Sequence, residues 1–430
     1  MKRDTGEGLP PPLFHAAVAA TQELLTFQHP ADGVLSAFFR KHRSGGRDRA
    51  LIAEAGYAGL RRLRSLQRMT AALAPPRRLP LQVALAITRL LGVSLRQLEP
   101  ALAPADHEWL RQQAGVPLDA DDAAPLGERL DLPDWLAAQL AAEFPAGELP
   151  ALARMLNSPA PLDLRVNILK ADRAAVLARL RDEGLRAEPT PLSPVGIRVA
   201  GRPALHKHPL FLDGTLEVQD EGSQLLGLLV QPRRGEMVVD YCAGAGGKTL
   251  QLGAMMRSTG RLYAFDVAEQ RLARLRPRAA RAGLSNVHPV CISGGSDARV
   301  KRLSGKADRV LVDAPCSGLG TLRRNPDLKW RQTPDSVAEL TTRQTEILAA
   351  AARLVRPGGR LVYATCSLLA AENDAVLDAF LAAHPAFRPL PAAEILAGQG
   401  IALDTGECLR LLPHRHGTDG FFAAVMERAK

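Results

Sequence analysis

The chain has 430 residues, more than the roughly 250–300 at which one hydrophobic core stops growing, so two or three domains are expected. Hydrophobic residues make up 46% and charged residues 23%, which excludes a wholly disordered, collagenous or disulfide-scaffold protein. Lys and Arg number 55 against 45 Asp and Glu, so the net charge is +10 and the pI is near 9.7. Most of these cations are Arg, which favours a polyanionic partner such as nucleic acid; coding bias toward Ala and Arg is the alternative explanation.

The cysteine content and the first residues bear on the compartment. Five cysteines are an odd number and too few for a disulfide framework, so a reducing, cytoplasmic setting is predicted. The start MKRDTGEGLPPP has cations but no apolar segment behind them, and no run approaches about 18 apolar residues. Neither secretion nor a membrane span is expected.

The first part of the chain is predicted to be helical. Between residues 13 and 115, apolar positions recur at three- and four-residue spacing, which indicates an all-helical domain over residues 1–116. The acidic, Pro-rich stretch 117–135 is interpreted as a linker. Cations form two clusters, of which the second would be an exposed basic stripe on a helix: Arg40, Lys41, Arg43, Arg47 and Arg49, then Arg61, Arg62, Arg64 and Arg68. This second cluster is either a solvated face or an RNA contact.

Two further regions follow the linker. Residues 136–230 begin with a helical pattern and continue with short alternating runs such as LRVNIL, IRVA and GTLEVQ, which predicts a small α+β subdomain. From residue 231 to 430, short apolar strands alternate with helices. This rhythm predicts a doubly wound α/β fold with a parallel sheet covered on both faces. The candidate strands are MVVDYC, GRLYAFDV, VHPVCI, RVLVDAP and GRLVYATCS.

A glycine-rich turn follows the first of these strands. Its position between a strand end and a helix start predicts a cofactor site, because the backbone can approach a ligand there and helix N–H groups are available. A phosphate-binding P-loop would need Gly where Cys242 stands, and the dinucleotide fingerprint would need a small glycine where Thr249 stands. Both nucleotide motifs are therefore weakened. The turn comprises Cys242, Ala243, Gly244, Ala245, Gly246, Gly247 and Lys248.

Acidic residues after the next two strands are candidate cofactor contacts. Asp266 ends the second strand, 26 residues after Asp240, at about the spacing at which a carboxylate accepts hydrogen bonds from ribose hydroxyls. The alternative is a solvated helix cap. Asp297 follows the third strand and is expected to approach an adenine edge.

Two cysteines stand at the ends of the fourth and fifth strands, in Asp313-Ala-Pro-Cys316-Ser and in Thr-Cys366-Ser. Carboxyl ends of strands line the ligand crevice of an open α/β sheet, so both thiols should face the site. One buried Cys is usually a small hydrophobe, but two at adjacent strand ends indicate chemistry. Zinc is not expected, because there is no CxxC and the His residues of LLPHRHG lie far along the chain.

The motifs DYCAGAGGKT, AFD, DAPCSG, YATCS, RRNPDLKWR and DGFF together resemble the RsmB/Nop/Sun family of S-adenosylmethionine-dependent RNA (cytosine-5) methyltransferases. The resemblance covers residues 136–430, with the paired PCS and TCS motifs as its most specific part. It implies a Rossmann-like class I methyltransferase fold. The helical first part is similar to the NusB-like RNA-binding domain of the RsmB branch. The family commonly has Pro where Ala245 stands, and the Asp297 segment matches loosely.

The resemblance also implies roles for individual residues. Cys366 is the nucleophile and Cys316 assists product release, with Asp313 and Lys248 supporting catalysis. The cofactor is S-adenosylmethionine, bound by the turn and by Asp266, Asp297 and Asp313. The RNA, expected to be 16S ribosomal RNA, is contacted by Arg323, Arg324, Lys329, Trp330 and Arg331. We expect a monomer without metal or membrane contact. A non-catalytic RNA-binding assembly factor and a P-loop ATPase are the alternatives; the two thiols argue against the first and Cys242 against the second.

Overall fold

The computed structural model describes residues 8–42, 45–201 and 203–430, and the chain forms two compact units. The first unit comprises Met1–Pro159 and Leu322–Pro334; the second comprises Ala160–Thr321 and Asp335–Lys430. Most of the predicted amino-terminal stretch, residues 1–7, and Arg43 of the first basic cluster lie outside the described residues. Within the described ranges, no helix is long and apolar enough to cross a membrane.

The first unit is helical, and its helices bury one apolar stripe each, as the three- and four-residue spacing predicted. Phe14, Phe38, Ile52 and Ile87 are among the side chains at the centre of this core. The α-helices are Pro11–Leu24, Ala31–Lys41, Gly46–Arg61, Leu63–Thr70, Pro75–Leu85, Leu95–Leu98, Pro104–Gln113, Leu126–Leu130, Asp134–Glu143 and Leu149–Leu156, joined by Leu328–Arg331 from much later in the chain.

The stretch interpreted as a linker is part of the first unit. Residues 117–135 contain the helix Leu126–Leu130, and Leu132 and Asp131 are buried. The Asp131 carboxylate accepts hydrogen bonds from the backbone N–H and the hydroxyl of Ser65, at 2.9 and 2.6 Å. The two helices after this stretch, predicted to belong to the α+β subdomain, also lie in the first unit, whose first segment ends at Pro159.

The second basic cluster is not an exposed stripe. Arg62 forms an ion pair with the buried carboxylate of Asp131 at 2.8 Å, and Arg64 pairs with Asp134 at 2.9 Å. Arg61 is buried. The acidic stretch that follows the helices thus neutralises these cations, which the helical pattern alone did not reveal. By contrast, the side chains of the first cluster that the structure describes are exposed: Arg40, Lys41, Arg47 and Arg49.

The second unit begins with a small antiparallel sheet. Its strands are β1 Leu162–Val166, β2 Ala187–Pro189, β3 Gly196–Val199 and β4 Leu216–Val218, in the order β2-β3-β1-β4. The helix Arg173–Asp182 packs on one face, where Leu164, Val166 and Leu180 are buried. The short helices Leu205–Lys207 (3-10) and Pro209–Leu212 precede β4.

The larger sheet carries the predicted βα rhythm. Its strands are β5 Met237–Asp240, β6 Arg261–Asp266, β7 Val287–Cys291, β8 Ala307–Asp313, β9 Val355–Thr365, β10 Phe387–Leu390, β11 Leu409–Leu411 and β12 Phe421–Arg428. The α-helices are Glu221–Val230, Gly247–Met255, Glu269–Arg281, Ala298–Lys301, Pro334–Ala352, Asp374–Ala383, Ala392–Ala397 and Pro413–His416. The five strands predicted from the sequence are all present as β5 to β9.

The order of the large sheet is β10-β12-β9-β8-β5-β6-β7, with β11 paired to β12. Strands β5 to β9 are parallel, whereas β12 runs antiparallel to β9. The order reverses between β5 and β8, and ligands of doubly wound sheets bind at the carboxyl ends of strands beside such a switch point. The predicted Rossmann-like fold is confirmed, and its crevice lies where the glycine turn and the two cysteines occur.

Candidate active site

The glycine turn joins β5 to the helix Gly247–Met255 in a conformation that requires glycine. Gly244 and Gly246 have φ values of +56° and +90°, which side chains rarely adopt. A Cβ on Gly246 would lie 2.2 Å from Cδ1 of Leu275, whereas positions 244 and 247 have no atom within 4 Å of an ideal Cβ. The turn is therefore packed on one side and open on the other.

Asp266 fastens this turn to the end of β6. Its Oδ2 accepts a hydrogen bond from the Gly244 N–H at 2.8 Å, and its Oδ1 accepts one from the Ala268 N–H at 2.7 Å. The side chain also lines the adjoining cavity. The Asp266 carboxylate thus holds the glycine turn and accepts from a backbone N–H just before the next helix. It also lies at the cavity, where the ribose contact is predicted.

Two arginines that the sequence analysis did not single out support the turn from behind. Arg278 donates to the carbonyl of Ala245 at 2.5 Å, and Arg165 donates to the carbonyl of Gly247 at 2.8 Å. Arg278 also pairs with the carboxylate of Glu217 at 2.8 Å. Burial lowers the pKa of Arg165 to about 10, so the group stays charged at neutral pH. The carbonyls that accept from these two arginines lie 33 and 82 residues away in sequence, so no local motif indicated the role of either arginine.

A cavity of about 910 Å³ opens at the switch point. Eight of the ten predicted cofactor residues line it; Gly246 and Asp297 are not among the lining residues. Gly246 lies against Leu275 instead. The lining also includes side chains that the sequence analysis missed, namely Gln219, Ser223, Arg271, Arg343, Glu346 and Arg353.

The cavity fits the nucleoside cofactor that the resemblance implies. Asp240 and Tyr241 belong to its lining, and Oδ1 of Asp240 and the Tyr241 hydroxyl are buried polar atoms without a hydrogen-bond partner among the described residues. Burial raises the pKa of Asp240 to about 7, although the Thr249 hydroxyl donates to its other oxygen at 2.6 Å. Polar atoms of this kind, beside an open glycine backbone, are suited to the amino, carboxylate and hydroxyl groups of S-adenosylmethionine.

Asp297 does not offer a free carboxylate. Its Oδ2 accepts from the Ser293 N–H at 2.9 Å, and its Oδ1 accepts from the Arg299 N–H at 2.9 Å. The Arg299 guanidinium binds both oxygens, and this hydrogen bonding holds the pKa of Asp297 well below its usual range. The expected adenine contact stays a prediction: Asp297 shapes the loop, and its neighbours Gly294 to Ser296 line the cavity.

The two thiols predicted to face one site lie together. Sγ of Cys316 is 3.3 Å from Sγ of Cys366, and the Cys366 N–H also donates to Sγ of Cys316 at 3.3 Å. The hydrogen bond with Cys366 and burial raise the pKa of the Cys316 thiol well above its ordinary value. Cys316 is therefore held in the protonated state while Cys366 is beside it.

An ion pair lies at the cavity near the PCS motif, although neither Cys316 nor Cys366 is among the lining residues. Lys248 Nζ lies 2.7 Å from Oδ2 of Asp313, and both side chains line the cavity. Burial lowers the pKa of Lys248, but the Asp313 carboxylate outweighs burial and charge on Cys366 adds to its effect, so the pKa is raised. The ammonium group also lies 6.0 Å from the ring centroid of Phe421, in the DGFF motif. Lys248 is thus a fixed positive charge close enough to Cys366 to interact with it electrostatically.

The remaining three cysteines show no such arrangement. Burial raises the pKa of Cys242 well above its ordinary value and that of Cys408 to about 11. Sγ of Cys291 lies 3.7 Å from the carbonyl of Val267. Within the described residues, no group of three His, Cys, Asp or Glu side chains could hold a metal ion.

The segment predicted to contact RNA is largely a structural part of the first unit. Lys329 is fully buried and donates to the carbonyls of Arg61 and Asp131 at 2.9 and 2.5 Å. Trp330 donates its indole N–H to the carbonyl of Leu60 at 2.8 Å. The expectation that Lys329 contacts RNA is wrong in this structure, and Trp330 anchors the segment by its polar edge.

The arginines of this segment differ in exposure. Arg323 is buried, and its carbonyl accepts from the Arg61 guanidinium at 2.9 Å, so its predicted RNA contact is also at odds with the structure. Arg324 and Arg331 are partly exposed, and Arg331 lies 3.4 Å from the Asp327 carboxylate. Their RNA contacts stay predictions.

The sequence motifs also did not indicate Glu372, a buried carboxylate that contacts the residues following both cysteines. Glu372 is completely inaccessible and accepts hydrogen bonds from the residues that follow each cysteine, Ser317 and Ser367. The signal in the sequence was its place six residues after Cys366 in the segment AAEND, which resembles an ordinary acidic helix start.

Comparison with known proteins identifies the family. The family model described as 16S rRNA methyltransferase RsmB/F matches residues 227–427, and the ferredoxin-like domain model of the same methyltransferases matches residues 132–206. A protein of Synechocystis sp. named probable ribosomal RNA small subunit methyltransferase B is 38% identical over 71% of this chain and 68% of its own length. The Vibrio cholerae protein named ribosomal RNA small subunit methyltransferase B is 30% identical over 96% of both chains.

A solved structure has a similar fold over nearly the whole chain. The crystal structure of the protein PH0851 has a TM-score of 0.78 and 27% identity, and the match covers 98% of this chain and 99% of that one. The fold, the paired thiols and the matched family regions lead to one conclusion: the chain belongs to the RsmB/F family of S-adenosylmethionine-dependent methyltransferases.

Proposed function

We propose that the protein transfers a methyl group from S-adenosylmethionine to carbon 5 of a cytosine in small-subunit ribosomal RNA, through a covalent bond between Cys366 and the base. The observation that carries this proposal is the 3.3 Å separation of the Cys316 and Cys366 sulfur atoms, with Pro315, the residue before Cys316, lining the cofactor cavity. A protein that only binds RNA has no chemical need for two apposed thiols. The names of the relatives support ribosomal RNA as the substrate.

The first step explains why a thiol is needed. Carbon 5 of cytosine is too electron-poor to accept a methyl group directly. When the Cys366 thiolate adds to carbon 6, the ring becomes an enamine whose carbon 5 is nucleophilic, so one difficult step is divided into easier ones. S-adenosylmethionine supplies the electrophilic methyl group when bound. The Lys248 ammonium group, held by Asp313, supplies a positive charge in this site.

The second thiol suits product release. Methylated carbon 5 still carries a proton, which a base must remove so that the double bond to carbon 6 re-forms and Cys366 leaves as a thiolate. The hydrogen bond with Cys366 is the main cause of the raised pKa of Cys316. Once the Cys366 sulfur is bonded to carbon 6, it no longer carries a charge or a thiol proton. We infer that Cys316 ionises more readily at that stage, when a base is required.

Asp313 is the group suited to orienting the base. Its carboxylate can accept a hydrogen bond from the cytosine amino group, which favours protonation of the ring nitrogen and makes carbon 6 more electrophilic. The ion pair with Lys248 holds this carboxylate between the cofactor cavity and the PCS loop that it precedes. A base inside a helix cannot reach such a pocket, so the target cytosine must be unstacked.

RNA binding is proposed for the exposed cations rather than for the buried segment. Arg40, Lys41 and Arg47 are exposed on the helical unit, and Arg324 and Arg331 are partly exposed. Their charge supports a phosphate-binding role, which makes affinity dependent on salt.

The test uses three cysteine variants and RNA from a deletion strain. Cys366→Ala is expected to abolish methyl transfer while cofactor binding stays normal. Cys316→Ala is expected to accumulate an RNA adduct that survives denaturing electrophoresis, and Cys291→Ser serves as a control with normal activity. Bisulfite sequencing should show one lost 5-methylcytosine in the deletion strain. A Cys316→Ala enzyme that turns over normally while Cys366→Ala forms the adduct would reverse the assigned roles, and an unchanged 5-methylcytosine pattern would refute the substrate.

A further inference from the structure

One buried carboxylate connects the two loops that carry the thiols. Oε1 of Glu372 accepts hydrogen bonds from the Ser317 N–H at 2.8 Å and from the Gln344 side-chain amide at 2.9 Å. Its Oε2 accepts from the Ser317 hydroxyl at 2.5 Å and from the Ser367 hydroxyl. Ser317 directly follows Cys316, and Ser367 directly follows Cys366. A single side chain thus holds the residue after each thiol.

The neighbours of this carboxylate restrict it further. The Tyr363 hydroxyl donates to the Glu372 carbonyl at 2.6 Å, and Gln344 donates to the Pro315 carbonyl at 3.0 Å. The Asn373 side chain donates to the Ser367 carbonyl at 3.2 Å. Because these groups are buried, each bond lost would leave a polar atom unsatisfied, so the arrangement resists displacement.

The chemistry of the donors indicates how Glu372 acts. All four donors to its carboxylate among the described residues are neutral groups: one backbone N–H, one amide and two hydroxyls. Glu372 does not line the cofactor cavity, unlike Asp313. It is therefore placed to hold the loops and not to meet the cofactor.

We propose that Glu372 is a positioning residue that sets the distance between the Cys316 and Cys366 thiols. This inference rests on the proposed roles of the two cysteines. A carboxylate that acts only by accepting hydrogen bonds can be replaced by Gln: the amide oxygen takes the place of Oε1, and its NH₂ group donates to the two hydroxyls, which can accept as well as donate. Ala retains none of these bonds.

The first measurement does not depend on the methylation chemistry. Diamide, a thiol oxidant, joins Cys316 and Cys366 in a disulfide; the two thiols lose two protons and two electrons, and diamide is reduced to the hydrazine. Peptide mapping by mass spectrometry separates this bond from the other cysteines. We expect Glu372→Gln to form the disulfide within threefold of the native rate, and Glu372→Ala at least tenfold more slowly. Asp374→Ala is the control and should match the native rate, because this partly exposed acidic residue two positions later pairs with Arg410 and not with either thiol loop.

Two further measurements separate a change in the distance between the thiols from a change in thiol reactivity or the loss of a proton-transfer group. Alkylation by iodoacetamide measures the intrinsic reactivity of each thiol. The disulfide rate of each variant is therefore divided by its alkylation rate before the variants are compared. In methylation assays, Glu372→Ala should lower kcat at least a hundredfold with the RNA KM within threefold, and leave RNA in the denaturation-resistant adduct. Glu372→Gln should retain at least a third of kcat, which a residue that transfers a proton would not allow.

The outcomes distinguish this inference from the proposed reaction. If Glu372→Ala oxidises at the native rate, or Glu372→Gln is as slow as Glu372→Ala, the positioning role is overturned. If the disulfide rates follow the expectation but no cytosine adduct forms with any variant, the reaction assignment fails and the positioning of the loops stands. Should Glu372→Ala not fold, Ser367→Ala removes one of the four bonds and should slow oxidation about threefold; an unchanged rate there overturns the proposal.

Discussion

The buried lysine of the first unit gives a prediction that distinguishes a structural role from an RNA contact. Burial lowers the pKa of Lys329 to about 7, while the nearby Asp131 carboxylate opposes this and the Arg62 and Arg61 guanidinium groups reinforce it. The pKa in the folded state is thus lower than the ordinary value of 10.5. Between about pH 7 and 10 the unfolded chain therefore binds one proton more at this residue, and the contribution of Lys329 to the free energy of unfolding rises with pH in this window.

The size of the effect follows from the shift. Each pH unit in the window adds about 1.4 kcal/mol to the free energy of unfolding, so Lys329 contributes a rise of about 4 kcal/mol between pH 7 and 10. Lys329→Met removes the titrating group, so the difference in stability between native and variant proteins should change with pH by this amount. Other titrating groups cancel in the difference. Lys301→Met, at an exposed lysine, is the control and should leave the pH dependence unchanged.

The assay can observe the first unit by itself, because all three tryptophans of the chain, Trp109, Trp135 and Trp330, belong to it. Urea unfolding followed by tryptophan fluorescence at pH 7, 8, 9 and 10 gives the required difference. Native and Lys329→Met curves that stay parallel across this range would refute the reasoning. That result would mean that the three oxygen acceptors of the ammonium group, two of which are the carbonyls of Arg61 and Asp131, keep it charged despite burial.

The other predictions concern the cofactor turn, the first basic cluster and the carboxylate of Asp313. Gly246→Ala places a Cβ against Leu275 at a positive φ, at a cost of about 1–3 kcal/mol, so calorimetry should show cofactor affinity reduced at least tenfold; unchanged affinity would contradict the required conformation. The double variant Arg40→Ser, Lys41→Ser should flatten the slope of log affinity for RNA against log salt by about 1–2, whereas an unchanged slope would place RNA elsewhere. Asp313→Asn leaves its lysine partner without a counter-charge, and we expect kcat to fall at least a hundredfold with cofactor affinity within tenfold; activity near native would exclude a role for the carboxylate.

The catalytic half of the molecule was predictable because its signals are local. Parallel strands covered on both faces are continuous apolar runs, so β5 to β9 could be found by composition alone. Residues at the carboxyl ends of neighbouring strands must then meet, which is why Cys316 and Cys366 could be brought together from the sequence. The glycine turn was recognisable for the same reason, since Gly244 and Gly246 fill backbone conformations that other residues avoid.

The failures share a different physical cause. A cation next to an aromatic residue has the same composition whether it faces phosphate or a buried carbonyl, and the acceptors of Lys329 lie 268 and 198 residues away in the chain. The basic stripe at Arg62 and Arg64 was mistaken for an exposed surface because its carboxylate partners are supplied by a stretch interpreted as a linker. Asp297 stays a predicted cofactor contact, although a neighbouring guanidinium binds its carboxylate. In each case a long-range or side-chain partner decides the role.

The two carboxylates near the thiols, those of Asp313 and Glu372, have different proposed roles because their surroundings differ. Asp313 keeps 31% of its side chain exposed, pairs with an ammonium group and lines the cavity, so a change of its charge alters both its partner and what a substrate meets. Glu372 is buried among neutral donors and meets neither the cavity nor a cation among the described residues, so its charge can be removed if its geometry is kept. Isosteric amide substitutions should therefore separate the two: Asn at position 313 preserves shape and loses function, whereas Gln at position 372 preserves both. This contrast depends on hydrogen-bond partners, which the sequence around either residue does not show.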